Sequence, residues 1–160
     1  MQDLVDLNRR IVRNVLWKNA KEMTPQQEQY LGFLPVCVAR LSPCVADIRK
    51  MLFGVRPRQE NTLPDMQVNC DYLNYCRLAG KDIGAGRYSR LIELGLKVEE
   101  AEAIAGLANE QITRLALYWP GLIAVCDLEI FLRGAMLHSW AGRFHASAYL
   151  TAERSEVAFS

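Results

Sequence analysis

His138 and His145 are the chain's two histidines, seven residues apart, with Cys126, Asp127 and Glu129 upstream. A helix would turn both imidazoles to one face, yet the spacing matches neither a metal-binding signature nor the order of a nucleophile, base and orienting acid. Packing or surface histidines are the expectation, and no enzyme is predicted. The five cysteines include no CxxC or CxxH pair, which suits buried thiols in a reducing compartment better than a disulfide framework or a structural zinc. The GAGR run at 84–87 lacks the preceding strand that a dinucleotide-binding turn requires. No cofactor and no metal are expected. Trp17, Trp119 and Trp140 are scattered among apolar neighbours rather than alternating with basic residues, a pattern of core or interface packing more than of base stacking.

A second constellation has nucleic-acid chemistry. Residues 94–119, LGLKVEEAEAIAGLANEQITRLALYW, have the layout of a helix-turn-helix. In such a motif a glycine occupies the turn, apolar positions lock the two helices, and the second helix offers polar groups to the major groove. Gly106 is the turn residue, and Ala101, Ala105, Leu107, Ile112 and Leu115 are the locking set. Asn109, Glu110, Gln111, Thr113 and Arg114 then face outward. Asn and Gln can bond adenine edges, and Arg can bond guanine or phosphate. A glycine-turned hairpin is equally a common way to pack two helices. Glu102 also stands where the motif prefers a small residue, and residues 91–118 carry five acids against Lys97 and Arg114, a charge that phosphates repel. The preceding stretch is more basic. Arg77, Lys81, Arg87 and Arg90 face only Asp71 and Asp82, and the glycines at 84 and 86 would let that loop reach a phosphate backbone. The expected DNA contacts are therefore Lys81, Arg87, Arg90, Asn109, Gln111 and Arg114.

The elements that position these residues read as helices. Leu4, Leu7, Ile11, Val15 and Leu16 recur at three- and four-residue steps, which predicts an amphipathic helix over 3–23. Thr24 and Pro25 stop it and cap the next, because proline loses nothing at a first helical position. Pro35 and Pro43 divide residues 26–53 into short helices joined by turns. The polar, proline-containing stretch 54–66 has a linker's composition and marks the expected boundary between an N-terminal helical module, 1–65, and a helical domain, 66–150. Within that domain helices are expected over 68–81, 88–94, 98–105 and 109–118, with Gly95 as a C-terminal cap and Asn109 as an N-cap. Residues 122–140 read as a helix, with a short strand over 122–125 as the alternative. Residues 151–160 lack a period and are expected to form a flexible tail.

The chain has 160 residues, with 19 basic and 18 acidic side chains and a formal charge of +1. Sheer net charge therefore cannot drive nucleic-acid binding, and any affinity must come from local patches or a partner. The N-terminus mixes charges into its apolar residues, unlike a signal peptide, and no apolar run approaches a membrane span. A cytoplasmic protein without membrane contact is expected.

The run LNYCRLAGKDIGAGRYSRLIELGL at 73–96, the acids Glu99 and Glu100, the AGL at 105–107 and QITRLA at 111–116 together resemble the FlhD family, DNA-binding partner subunits of the bacterial flagellar master activator. The resemblance covers about half of the chain without gaps. It implies an all-α, dimerising subunit that joins a zinc-containing FlhC-like partner, binds double-stranded DNA and activates transcription by RNA polymerase. Relatives that activate conjugative transfer genes suit a divergent member such as this one. Leu73, Leu78, Leu91, Leu94 and Cys126 are then the expected contacts of a homodimer or higher oligomer, with Cys126 nearest to a family cysteine that forms an interchain disulfide. Reaching Cys126 requires an insertion at 118–121, and the family has no counterpart to the first 65 residues. The alternative function is a helical adaptor or antagonist that uses the same surface without touching DNA.

Overall fold

The computed structural model describes residues 2–18, 24–31, 34–54, 59–125 and 154–159. In chain order these form α1 (Gln2–Lys18), α2 (Pro25–Leu31), β1 (Ala39–Leu41), α3 (Val45–Phe53), α4 (Leu63–Ile83), α5 (Ser89–Leu94), α6 (Val98–Ala105), α7 (Asn109–Tyr118) and β2 (Ile123–Val125). A short helical stretch follows at 154–158. The described chain is mainly α-helical.

The amphipathic pattern of α1 turns Leu4, Leu7 and Ile11 inward. Asn8 joins them in the interior because both ends of its amide are engaged: Nδ2 donates to the Val36 carbonyl and Oδ1 accepts from the Val38 N–H, each at 2.9 Å. A buried amide so satisfied carries no desolvation penalty of an orphaned group. It pins the chain entering β1 against α1. Thr24 caps α2 as its sequence predicts, exchanging bonds with Gln27 at 2.9 and 3.3 Å.

The longest helix is α4. Thr62 starts it by accepting from the Asp65 N–H, with Pro64 in the first turn. The helix thus begins inside the expected linker, since a capping threonine followed by proline is a stronger start signal than the polar composition around it. Tyr72, Leu73, Cys76 and Ala79 form its buried stripe. At Gly80 the backbone comes so close to α6 that a Cβ would run into the Ala101 carbonyl and the Ala105 side chain. A glycine inside a helix costs about 1 kcal/mol relative to alanine, and here it permits the tightest helix crossing. Glu102 is exposed, so the small residues Ala101 and Ala105 make the crossing instead.

One cluster of buried residues joins Leu4, Leu7 and Ile11 of α1, Ile48 of α3, Tyr72 and Cys76 of α4, Ile104 of α6 and Leu115 of α7. The described residues of α1 and α3 therefore share a core with those of α4, α6 and α7. A short ribbon ties the two halves as well: β1 pairs antiparallel with β2, Ala39 opposite Val125 and Leu41 opposite Ile123. The strand at 122–125 was the alternative expectation and is present at Ile123–Val125, whereas β1 carried no period long enough to read. Residues 126–140 of the expected helix, with His138, lie outside the described residues, as does His145. Within the expected tail, 154–158 is helical, with Arg154 and Ala158 0 % and 3 % exposed.

Candidate nucleic-acid interface

Helices form over both spans expected at 98–105 and 109–118. α6 ends at Ala105, Gly106 makes the turn, and α7 begins at Asn109. Ala101, Ile112 and Leu115 are buried, while Asn109, Glu110 and Thr113 are exposed. Ala108, not Asn109, is the N-cap of α7. The reason is Gln111, whose Oε1 accepts from the Ala108 N–H at 2.8 Å. That bond satisfies one of the free donors at the helix start and engages Gln111 in capping. Arg114 is likewise engaged, donating Nη2 to the Gly54 carbonyl at 2.8 Å and holding α7 to the end of α3. At its other end α7 is held by Asn61, whose Nδ2 donates to the carbonyls of Ala116 and Trp119 at 2.8 and 2.9 Å.

Asn109 is placed differently. Its Oδ1 accepts from Nη1 of Arg77 on α4 at 2.7 Å. One turn beyond Arg77 on the same helix stands Lys81, itself exposed. The bond from Arg77 joins α4 to the first turn of α7 across 32 positions, which sequence spacing alone does not reveal.

The loop after α4 is organised by Asp82. Gly84, Ala85 and Gly86 form its turn, with Gly86 in the left-handed region at φ 70°. The Asp82 carbonyl accepts from the N–H groups of Ala85 and Arg87 at 3.0 and 2.9 Å. Its carboxylate, only 9 % exposed, pairs with Arg87 at 2.8 Å and also with Arg90. Burial works to raise the Asp82 carboxyl, but the hydrogen bond and charge of Arg90, joined by Arg87, outweigh it and hold the pKa below the usual carboxylate value. Arg90 also lies 5.9 Å over the ring of Tyr75. The Tyr75 hydroxyl donates to Glu93 at 3.1 Å, and burial with the Glu93 charge pushes its pKa up to about 12.

Arg87 and Arg90 are thus partly committed to a buried acid. The Arg87 side chain remains 68 % exposed and that of Arg90 38 %. Leu73, Leu91 and Leu94 are 0 % exposed and hold the chain's own helices together. Their helical spacing reports burial without saying whether the cover is the same chain or another. Leu78 is 45 % exposed, and Cys126 lies outside the described residues. No group of three or more His, Cys, Asp or Glu among the described residues is arranged to hold a metal ion, and none of the described helices is long and apolar enough to cross a membrane.

No protein-family model matches the chain, and no curated protein or solved structure matches it.

Proposed function

We propose that the chain is a DNA-binding subunit of a heteromeric transcriptional activator, acting on double-stranded DNA with an FlhC-like partner and RNA polymerase. Genes of conjugative transfer are its candidate targets. The observation that carries this reading is the contact between Arg77 and Asn109, with Lys81 one turn further along α4. Helix-turn-helix readers present the first turn of their second helix to base edges and surround it with phosphate contacts. Here that turn belongs to an acidic hairpin, and α4 supplies the cations the hairpin lacks. Arg77 and Lys81 take the phosphate contacts, Arg87 adds another from the loop, and Asn109 faces the groove. Gln111, Arg114 and Arg90 serve the fold first.

A second reading, a helical adaptor that never touches DNA, draws on Glu99, Glu102 and Glu110, all exposed on the hairpin. Binding to a pool of random-sequence duplexes, measured over a range of salt, separates the two. The activator reading expects retardation by the chain with the product of its adjacent gene, and affinity that falls with salt. Replacing Arg77 and Lys81 together by Ala should flatten the logarithmic salt slope by about two. Absence of retardation at every salt concentration, with and without that neighbour, selects the adaptor.

A further inference from the structure

The end of α5 contains a binding site that the chain fills with its own C-terminal segment. A helix ends with four carbonyls that lack intrahelical donors, and in α5 each of them has one. The Leu96 N–H donates to the Leu91 carbonyl and the Gly95 N–H to that of Ile92, both at 3.1 Å. These are the two bonds of a Schellman ending, with Gly95 left-handed at φ 61°. The Cys37 N–H donates to the Glu93 carbonyl at 2.6 Å. The last carbonyl, of Leu94, accepts from Nη1 of Arg154 at 3.0 Å, and Nη2 of the same guanidinium donates to the Cys37 carbonyl at 3.1 Å. A Cβ on Gly95 would collide with that guanidinium.

We propose that Leu94, Gly95 and Cys37 form a guanidinium-binding site whose ligand is Arg154 of the chain's own C-terminal segment, and that seating this ligand orders α5. Two carbonyls on separate segments match the planar fork of an arginine, which an ammonium group cannot span in the same way. The negative end of a helix also favours a cation. The segment has a second anchor. Phe159 meets Tyr88 edge-to-face, ring centroids 5.6 Å apart and planes at 60°. Tyr88 directly precedes α5 and Leu94 is its last residue, so the segment grips this helix at both ends. α5 has six residues, too few for a helix to persist unsupported in water. Its order therefore rests on what holds its ends.

The test is Arg154→Ala in the full chain, followed by hydrogen exchange and thermal melting. Protection of the Cys37, Gly95 and Leu96 amides should fall about tenfold or more, and Tm should drop by roughly 5 °C. Millimolar ethylguanidinium should restore both, and ethylammonium neither. Arg154→Lys, which keeps the charge without the fork, should exchange like the Ala variant. Gly95→Ala should lose less stability in the Arg154→Ala background than in the wild type, because the new methyl then meets no guanidinium. Unchanged protection in Arg154→Ala, equal rescue by ethylammonium, or wild-type exchange in Arg154→Lys would each overturn the proposal. Should Arg154→Ala fail to fold, refolding must recover in ethylguanidinium, and failure to recover overturns it as well.

Discussion

Two basic regions lie near the end of α4, one spanning the following loop and the start of α5 and one on the helix itself, and they differ in what stands beside them. Arg87 and Arg90 converge on Asp82, whose carboxylate is nearly covered. Arg77 bonds a neutral amide, Asn109, and Lys81 stands exposed one turn away. Both regions are basic, yet the first commits cationic charge to a buried acid and the second keeps it for solvent or a partner. A buried carboxylate stripped of its partners is strongly unfavourable, whereas an exposed cation loses little when its neighbour is removed. Basic residues in the two regions therefore do different work: the first closes the loop, and the second charges the surface.

The largest expected effect comes from striking Gly80, inside the second region. Gly80→Ala should destabilise the protein by about 3 kcal/mol in urea titration, although helix propensity alone would favour alanine by about 1 kcal/mol. The α4 and α6 backbones would have to separate, which displaces Arg77 from Asn109 as well. A neutral or stabilised variant would show that the crossing has room to spare.

Next in size is the contrast within the Asp82 cluster. Arg90→Ala should lower Tm by roughly 5 °C, and Arg87→Ala, from a far more exposed partner, by no more than about 2 °C. Equal losses would mean that exposure does not rank the two pairs. Lys81→Ala, by comparison, should leave stability within about 0.5 kcal/mol of wild type.

The smallest effect is the response to acid. The Asp82 carboxyl is held below its ordinary value by Arg90 and Arg87, and that of Asp65 by hydrogen bonds from Lys18, Asn14 and Thr62, in both cases against an opposing effect of burial. A depressed carboxyl pKa contributes stability that is complete above the unfolded-state value and is lost as pH falls through the folded-state value. Urea midpoints should hold steady down to about pH 5 and decline below about pH 4. Asp82→Asn should be less stable near neutrality and should show a shallower acid decline. An unchanged decline would remove Asp82 from the groups responsible.

Much of the local structure was legible in the residues. The breaks at Gly95 and Gly106, the left-handed Gly95 and the Thr24 cap follow from signals spanning four or fewer residues, where backbone sterics and capping bonds act. The start of α4 differs from the expected linker because Thr62 and Pro64 outweigh the polar composition around them. The three-residue β1 was missed, since a strand so short has no period of its own and exists through its pairing with β2.

The candidate interface was legible only as a set of residue types. Lys81, Arg87, Arg90, Asn109, Gln111 and Arg114 were visible as polar or basic positions, but which are already engaged depends on distant partners. Arg114 finds Gly54 across 60 positions, and Arg154 finds Cys37 across 117. Nothing near Arg154 in the sequence distinguishes it from an ordinary surface arginine. By itself the sequence determined a mainly helical chain and the caps at Thr24 and Gly95, because those depend on torsions and bonds between near neighbours. The tertiary structure decided which leucines are interior, which arginines serve a buried acid and which remain available, because burial and charge pairing are properties of segments that meet only in the folded chain.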